Sequence, residues 1–205
     1  MSPVASRLGV FGSSFNPPTL GHAVLLAEAS WRLNLDRIIV VPTGEAWHKK
    51  VEGAPEGKVR MTLAEAAFGT ASGIEVSDAE VAREGPSYTC ETLEEIRSTN
   101  PDSHLFFLSG SDAALGVGGW HRPERVLELA TFAVAPRTEI AREAVEETFE
   151  SLGARDRLEF FEMPRVEISS SLVRERIAAG RPWKHLVPHA VAEMIDNEDL
   201  YGRNQ

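Results

Sequence analysis

The chain has 205 residues, with 21 Lys or Arg against 31 Asp or Glu, so its formal net charge at pH 7 is −10. That charge argues against a general binder of nucleic acid or of anionic membranes, because such proteins need a basic surface. The single cysteine, Cys90, excludes an internal disulfide framework and a cysteine-rich zinc site. No apolar run approaches the roughly 18 residues of a membrane-spanning helix and no secretory leader pattern is present, so we expect a cytoplasmic protein.

Strand and helix patterns alternate along the chain. An apolar run at 8–11 predicts a strand, and helical spacing follows over 20–35. The β-branched run at 38–41 predicts a strand buried on both faces, and residues 43–58 predict a long loop. The later patterns predict, in chain order, a helix at 60–68, a strand at 74–76, a helix at 89–98, a strand at 105–108, a helix at 123–129, a strand at 131–135, a helix at 139–152, a strand at 158–161, and helices near 170–179 and 189–196.

This alternation predicts a Rossmann-like, doubly wound α/β fold with a parallel sheet. The length fits one domain over residues 1–205, with a small helical part from about 169 to 205. Polar residues follow several predicted strands. Because the carboxyl ends of parallel strands share one edge of a sheet, we expect the binding site at that edge.

The segment 12–22, Gly-Ser-Ser-Phe-Asn-Pro-Pro-Thr-Leu-Gly-His, joins the first predicted strand to the first predicted helix. Gly12 allows a tight turn and close approach of a ligand, and a helix amino terminus offers free N–H groups to an anion. Thr19 suits the N-cap position, and His22 falls on the same face of the first turn. A phosphate-binding turn and a simple capped helix with a surface histidine fit this spacing about equally.

The segment 168–174, Ile-Ser-Ser-Ser-Leu-Val-Arg, is a second predicted helix start. Serine hydroxyls and N–H groups suit one phosphate, while the planar guanidinium of Arg174 suits another. A serine-capped helix with a solvated arginine is the competing interpretation. Two such segments in one chain favour a phosphate-rich ligand.

The middle of the chain offers weaker signals. Residues 47–60 carry Lys49, Lys50, Lys58 and Arg60 against two glutamates, a local charge of 4 − 2 = +2 that fits either a flap over an anionic substrate or a solvated loop. Asp112 fits a ribose or metal contact as well as a helix cap. Trp120 suits stacking on a flat ring, although core packing is the more common use of such a residue.

Residues 19–22, Thr-Leu-Gly-His, and the segment 168–174 resemble the two signatures of the nucleotidyltransferase α/β-phosphodiesterase superfamily. Within it, the chain resembles the bacterial nicotinate-nucleotide adenylyltransferases. That narrower resemblance lies in segments 83–89, 92–93, 110–112 with Trp120, 135–137, 186–188 and 200–201. Asn16 and Thr19 stand where the family usually has Asp and His.

The resemblance implies adenylyl transfer from ATP to nicotinate mononucleotide, giving deamido-NAD and pyrophosphate, with Mg²⁺ accompanying ATP. It assigns His22, Thr19 and Arg174 to catalysis. The residues that it implies for ATP binding are Gly12, Ser13, Phe15, Gly21, His22, Asp112, Arg137, Ser169, Ser170 and Arg174. Those that it implies for the second substrate are His48, Lys49, Tyr88, Thr89, Asp112 and Trp120.

Two alternatives stay open at this point. One is a related adenylyltransferase that uses nicotinamide mononucleotide or another phosphorylated acceptor such as phosphopantetheine. The other is a non-catalytic nucleotide-binding protein of the same fold. The expected partners are small-molecule substrates rather than nucleic acid or membrane, and a homo-oligomer is compatible with the sequence.

Overall fold

The computed structural model describes residues 6–45, 54–136 and 138–202. Its strands form one six-stranded sheet in the order β3-β2-β1-β4-β5-β6. They are β1 (Arg7–Ser13), β2 (Arg37–Pro42), β3 (Ile74–Val76), β4 (His104–Gly110), β5 (Thr131–Ala135) and β6 (Leu158–Phe160). The doubly wound parallel α/β fold predicted from the sequence is confirmed.

Helices connect the strands and lie on both sides of the sheet. They are α1 (Leu20–Arg32), α2 (Gly57–Phe68), α3 (Thr89–Thr99), α4 (Ser111–Leu115), α5 (Pro123–Leu129), α6 (Glu139–Ser151), α7 (Ser170–Ala178) and α8 (His189–Asn197). Short 3-10 turns occupy Val117–Gly119, Arg155–Arg157 and Lys184–Leu186. Every predicted helix is present, whereas α4 and the 3-10 turns are additional.

The sheet is held together by strands with two buried faces. In β2 every residue from Ile38 to Val41 is at most 5% exposed, as the β-branched run predicts. Strand β4 pairs in parallel with β1, with Leu105 opposite Leu8, and with β5, with Leu108 opposite Ala133. All four of these paired residues are buried. Helices cover both faces of such a sheet. Polar groups can therefore contact a ligand only at the ends of the strands.

Contacts divide the chain into two compact units. Unit 1 comprises Met1–Phe11, Leu25–Ile39 and Tyr88–Arg165, and unit 2 comprises Gly12–Val24, Val40–Ser87 and Val166–Gln205. The two segments predicted to bind phosphate, 12–22 and 168–174, belong to unit 2. Most of the residues assigned to the second substrate belong to unit 1.

Three boundaries differ from the sequence predictions. Gly12 lies inside β1, which runs on to Ser13, so it is not the residue of the tight turn. Helix α2 begins at Gly57 rather than at the predicted Arg60, which places Lys58 on the helix rather than in the preceding loop. Gly110 is the N-cap of α4, so the helix-cap interpretation of Asp112 is wrong. Strand β1 and helix α2 thus extend further than their apolar residues alone indicate.

The carboxyl end of α7 follows the expected pattern for a helix ended by glycine. Gly180 has a φ of 64°, in the left-handed region that glycine adopts without a steric penalty. Its N–H donates to the Ile177 carbonyl at 3.0 Å, and the Arg181 N–H donates to the Arg176 carbonyl at 2.8 Å. These two bonds form a Schellman motif, which confirms Gly180 as the residue that terminates α7.

Cys90 is a free cysteine on α3 and is completely buried. Burial raises the pKa of its thiol, which agrees with a packing role. Within the described parts of the chain, no helix combines the length and the apolar character that crossing a membrane requires. Those same parts contain no group of three or more His, Cys, Asp or Glu side chains placed to hold a metal ion.

Candidate active site

The start of α1 brings Thr19 and His22 into direct contact. The Thr19 carbonyl accepts hydrogen bonds from the His22 and Ala23 N–H groups at 3.1 and 3.3 Å. In the other direction, the Thr19 N–H donates to His22 Nδ1 at 3.0 Å, and the Thr19 hydroxyl also lies 3.0 Å from that nitrogen. His22 thus takes the place of the acidic residue in a capping box, which fixes its ring at the helix amino terminus.

These contacts define the protonation state of His22. Because Nδ1 accepts the Thr19 N–H, the ring hydrogen of the neutral imidazole must lie on Nε2. Burial lowers the pKa of His22 to about 4, so the neutral form dominates at physiological pH. His22 is therefore arranged as a neutral Nε2–H donor at the positive end of a helix dipole.

Thr19 itself is only 1% exposed. Its hydroxyl and N–H both face the imidazole, so its role in the structure is to position His22. Direct contact between Thr19 and the ATP phosphates stays a prediction.

The turn between β1 and α1 is built around Phe15. This residue is fully buried and has a φ of 46°, an uncommon value for a bulky side chain. Its ring meets the His22 ring edge-on, with centroids 5.3 Å apart, and the Phe68 ring of α2 in the same manner at 5.7 Å. Phe15 therefore packs against the His22 ring. Contact between Phe15 and ATP stays a prediction.

Two further predicted residues flank this turn. Ser13 is the last residue of β1, and its carbonyl accepts the Thr43 N–H at 2.9 Å. A Cβ placed on Gly21 would lie 2.9 Å from the Ile168 carbonyl oxygen, closer than a real Cβ approaches. Only glycine allows this close approach between the start of α1 and the second motif.

The second motif begins with a serine cap. The Ser169 hydroxyl accepts the Leu172 N–H at 3.1 Å, which makes Ser169 the N-cap of α7, and the residue is exposed. The serine cap of the competing interpretation is therefore confirmed, whereas its solvated arginine is not, because Arg174 is half-buried. A cap at an exposed helix amino terminus is also compatible with phosphate binding, because the other N–H groups of the first turn remain directed outward.

The second motif is bonded directly to the first. The Ser170 hydroxyl donates to the Pro17 carbonyl at 2.7 Å, and Arg174 Nη1 donates to the Asn16 carbonyl at 2.6 Å. Arg174 Nη2 also donates to the Ser171 hydroxyl at 3.2 Å. The amino termini of α1 and α7 are thus tied together through the 16–17 backbone, which places two predicted phosphate-binding groups, His22 and Arg174, in one part of unit 2.

Arg60 is a site residue that the sequence interpretation missed. It was grouped with the loop cations, yet it is only 7% exposed. Its guanidinium donates to three backbone carbonyls: Nη1 to Ser14 at 2.8 Å, Nη2 to Gly44 at 2.9 Å and Nε to Pro55 at 3.1 Å. A signal was available, because Arg60 shares the buried face of α2 with Leu63 and Ala64 at i+3 and i+4 spacing.

Tyr201 lies in the 200–201 segment of the resemblance, which assigns it no role. It has a φ of 65°, and its buried hydroxyl has no hydrogen-bond partner among the described residues. Burial raises the pKa of Tyr201, whereas the charges of Arg174 and Arg60 act to lower it. The carboxyl-terminal segment therefore reaches the surroundings of both arginines, which no local sequence pattern indicates.

Unit 1 places the residues assigned to the second substrate around two helix starts. Tyr88 is the N-cap residue of α3, and Thr89 is its first residue. The Tyr88 ring lies against the His121 ring, with centroids 4.2 Å apart and an interplanar angle of 31°. His121 is exposed, and the sequence interpretation did not select it.

Trp120 packs at the border of the aromatic core of unit 1. Its ring centroid lies 5.6 Å from that of Phe107 and 5.7 Å from that of Phe132. The ring is half-buried, so core packing accounts for one part of its surface while another part stays accessible. Asp112, in the first turn of α4, is exposed.

Three predicted site residues lie outside the described residues: His48, Lys49 and Arg137. Of the rest, unit 2 brings together the groups predicted for phosphate. Unit 1 holds an aromatic and hydroxyl set suited to a flat ring and a ribose. Neutral N–H donors, a guanidinium and a helix amino terminus are the groups that stabilise charge on transferring phosphates without a protein nucleophile.

The fold and the joined motifs define a class of nucleotide-transferring proteins, and residues 10–176 match the cytidylyltransferase-like family. The chain is 36% identical to a nicotinate-nucleotide adenylyltransferase of Carboxydothermus hydrogenoformans over 96% of this chain and 98% of that protein. A relative of the same description from Shouchella clausii is 35% identical over 97% of this chain and 98% of its own length. The chain belongs to this family of nicotinate-nucleotide adenylyltransferases within the cytidylyltransferase-like proteins.

Solved structures show the same fold. A Plasmodium falciparum nicotinic acid mononucleotide adenylyltransferase complexed with NaAD has a TM-score of 0.77 and 19% identity, over 96% of this chain and 97% of that one. A Vibrio parahaemolyticus protein described as a nicotinate-nucleotide adenylyltransferase has a TM-score of 0.69 and 22% identity, over 98% and 97% of the two chains.

Proposed function

We propose that this protein transfers the adenylyl group of ATP to nicotinate mononucleotide, giving deamido-NAD and pyrophosphate. The observation that carries the proposal is the hydrogen-bonded junction between the starts of α1 and α7, which groups His22 with Arg174. The full-length relatives of the same family support the choice of substrates. The proposal assigns the reaction to NAD biosynthesis.

In the proposed reaction, a phosphate oxygen of the mononucleotide attacks the α-phosphorus of ATP. A new P–O bond forms there, the bond to the bridging oxygen of the β-phosphate breaks, and pyrophosphate leaves with that electron pair. His22 donates its Nε2–H to the phosphate oxygens as negative charge builds on them. Arg174, with the α7 amino terminus behind Ser169 and Ser170, stabilises the departing pyrophosphate.

Mg²⁺ is proposed to accompany ATP, neutralising charge on the triphosphate. The groups described in unit 2 are compatible with this role of Mg²⁺, because hydrogen-bond donors and a cation suit phosphate oxygens rather than a metal ion. Asp112, an exposed carboxylate of unit 1, is assigned to the ribose hydroxyls.

For the mononucleotide, we assign Trp120 to stacking on the pyridine ring. Its half-exposed ring is held by core contacts, so it offers a rigid surface at little entropic cost. The carboxylate and the phosphate of the mononucleotide are assigned to four residues together: Tyr88, Thr89, His48 and Lys49. Arg137 is assigned to the ATP side.

One assay tests the proposed function directly. Pyrophosphate release from ATP and Mg²⁺ is measured in parallel with nicotinate mononucleotide, nicotinamide mononucleotide and phosphopantetheine. We expect the highest kcat/KM with nicotinate mononucleotide. Faster turnover of either of the other acceptors would identify the protein as a related adenylyltransferase. ATP binding without pyrophosphate release in the presence of any acceptor would favour a non-catalytic nucleotide-binding protein.

The His22→Ala variant tests the catalytic assignment in the same assay. Loss of one donor to a developing phosphate charge reduces kcat by roughly 10²- to 10³-fold. His189→Ala is the control, because His189 is an exposed histidine at the first position of α8. If His22→Ala has the same kcat as the control, His22 does not take part in catalysis.

A further inference from the structure

The turn that carries Phe15 is held from one neighbouring helix, α2, at two points. Arg60, in the first turns of α2, binds the Ser14 carbonyl at 2.8 Å. Phe68, at the end of α2, packs its ring against Phe15. The amino-terminal motif therefore rests on α2 through a polar contact and an aromatic contact on adjacent residues.

The guanidinium is immobilised by more than the turn itself. Its other bonds reach the Gly44 carbonyl after β2 and the Pro55 carbonyl before α2, so one side chain joins three separate stretches of backbone. Gly44 is fixed in turn, since its N–H donates to the Ser87 hydroxyl at 3.1 Å. Only the planar five-donor fork of arginine satisfies three acceptors in three directions, and lysine has no such geometry.

The backbone that Arg60 holds needs an external constraint. A φ of 46° at Phe15 is unfavourable for a non-glycine residue, so this conformation persists only where surrounding contacts enforce it. The Phe15 ring in turn lies 5.3 Å from the His22 ring. A change in the turn is thereby passed to the imidazole.

We propose that Arg60 is a positioning residue for His22, acting through the Ser14 carbonyl and the Phe15 ring. The inference deepens the proposed function and rests on it, because it gives His22 its orientation for the adenylyl-transfer step. Arg60 is expected to influence the rate of that step rather than the affinity for either substrate, since positioning errors of about 1 Å cost up to 10²-fold in rate.

A double-mutant cycle tests whether Arg60 acts through His22. In the wild-type background, Arg60→Lys is expected to lower kcat about 10- to 100-fold and to change each KM by less than about threefold. In the His22→Ala background, the same substitution is expected to lower kcat by less than about threefold, because the group that it positions is gone. Equal effects in both backgrounds would overturn the proposal.

Arg97→Lys is the matched control. Arg97, which is half-buried, also binds three backbone carbonyls, those of Pro101, Ser103 and Leu129, all within unit 1. Its replacement removes a comparable set of bonds, and we expect kcat within about twofold of wild type in both backgrounds. A kcat loss in Arg97→Lys as large as in Arg60→Lys would show a general effect of lost stability and would overturn the proposal.

A measurement independent of activity separates this inference from the proposed function. The His22 ring signal is followed by NMR as a function of pH, and is assigned by its absence in His22→Ala. We expect Arg60→Lys to move this signal and to raise the pKa of His22 toward its ordinary value, while Arg97→Lys leaves both unchanged. An unmoved His22 signal in Arg60→Lys would overturn the proposal, whether or not the wild-type protein is active.

Circular dichroism and thermal denaturation accompany every variant. If Arg60→Lys does not fold, Arg60→Gln is taken through the same cycle and the same NMR titration. If neither variant folds, Arg60 is required for folding as such, and the proposal is overturned. A wild-type protein that is inactive with all three acceptors would instead contradict the proposed function, while the NMR titration still decides the role of Arg60.

Discussion

His22 is kept neutral by its burial in the fold. Burial lowers the pKa of its imidazole to about 4, from an ordinary value of 6.5. Between these two pH values the unfolded chain binds a proton that the folded chain does not. The free energy of unfolding therefore falls as the pH falls through this window, and the contribution of His22 is complete above about pH 6.5.

Urea denaturation of the wild type and of His22→Asn at several pH values measures this effect. Asparagine cannot titrate and keeps an acceptor for the Thr19 N–H, while all other ionisable groups are common to both proteins. We expect the free energy of unfolding of the wild type, relative to the variant, to fall by about 2–3 kcal/mol from about pH 7 to pH 4.5. Parallel curves would mean that a charged His22 is tolerated in the folded protein.

The start of α7 combines a helix cap with a predicted phosphate site, and one substitution separates the two. Ser169→Ala removes the acceptor for the Leu172 N–H and is expected to cost about 1 kcal/mol of stability. Ser169→Asp restores a good cap and recovers that stability. Its negative charge repels ATP, so we expect the KM for ATP to rise about tenfold or more, since a like charge at that position costs upward of ~1.4 kcal/mol.

Thermal denaturation and initial rates of pyrophosphate release measure the two effects on the same three proteins. Ser169→Ala serves as the control for loss of the hydroxyl without added charge. If Ser169→Asp binds ATP as tightly as Ser169→Ala, Ser169 is a cap and nothing more. The phosphate assignment would then fall to Ser170 and Arg174.

Elements defined by local signals were predictable, whereas those defined by distant partners were not. The starts of α1 and α7 follow from Thr19 and Ser169, whose capping bonds span three residues. The burial and the bonds of Arg60 were not predicted, because its acceptor at Ser14 is 46 residues away. The left-handed turn at Phe15 was missed for the same reason, since contacts from α2 hold a conformation that the residue itself disfavours.

At the scale of the whole molecule, the alternation of patterns was enough to predict the sheet. Continuous apolar runs such as 38–41 and 105–108 occur in the sequence because parallel strands are buried on both faces. The candidate site was predictable only as two separate segments. Their junction depends on two long-range hydrogen bonds, which no pattern in a single sequence specifies. Ser170 binds Pro17, 153 positions away, and Arg174 binds Asn16, 158 positions away.

The central strand β4 gives a prediction about how stability and function divide across the molecule. Leu105 is fully buried near the amino end of β4, opposite Leu8 of β1, whereas the predicted ligand contacts follow the carboxyl ends of strands. Leu105→Ala leaves a cavity in the sheet core, and we expect it to lower the free energy of unfolding by about 2–5 kcal/mol. Trp31→Ala is the control, because Trp31 is 78% exposed and its loss is expected to change stability by no more than about 0.5 kcal/mol.

Urea denaturation gives the two stabilities, and initial rates well below the melting temperature give kcat and KM. Both variants are expected to keep the wild-type KM for ATP, because neither residue belongs to the groups that hold His22 or Arg174. A raised KM in Leu105→Ala alone would mean that the sheet core transmits packing changes to the phosphate site. Equal stabilities in the two variants would mean that β4 relaxes around the cavity, against the close packing that its buried neighbours indicate.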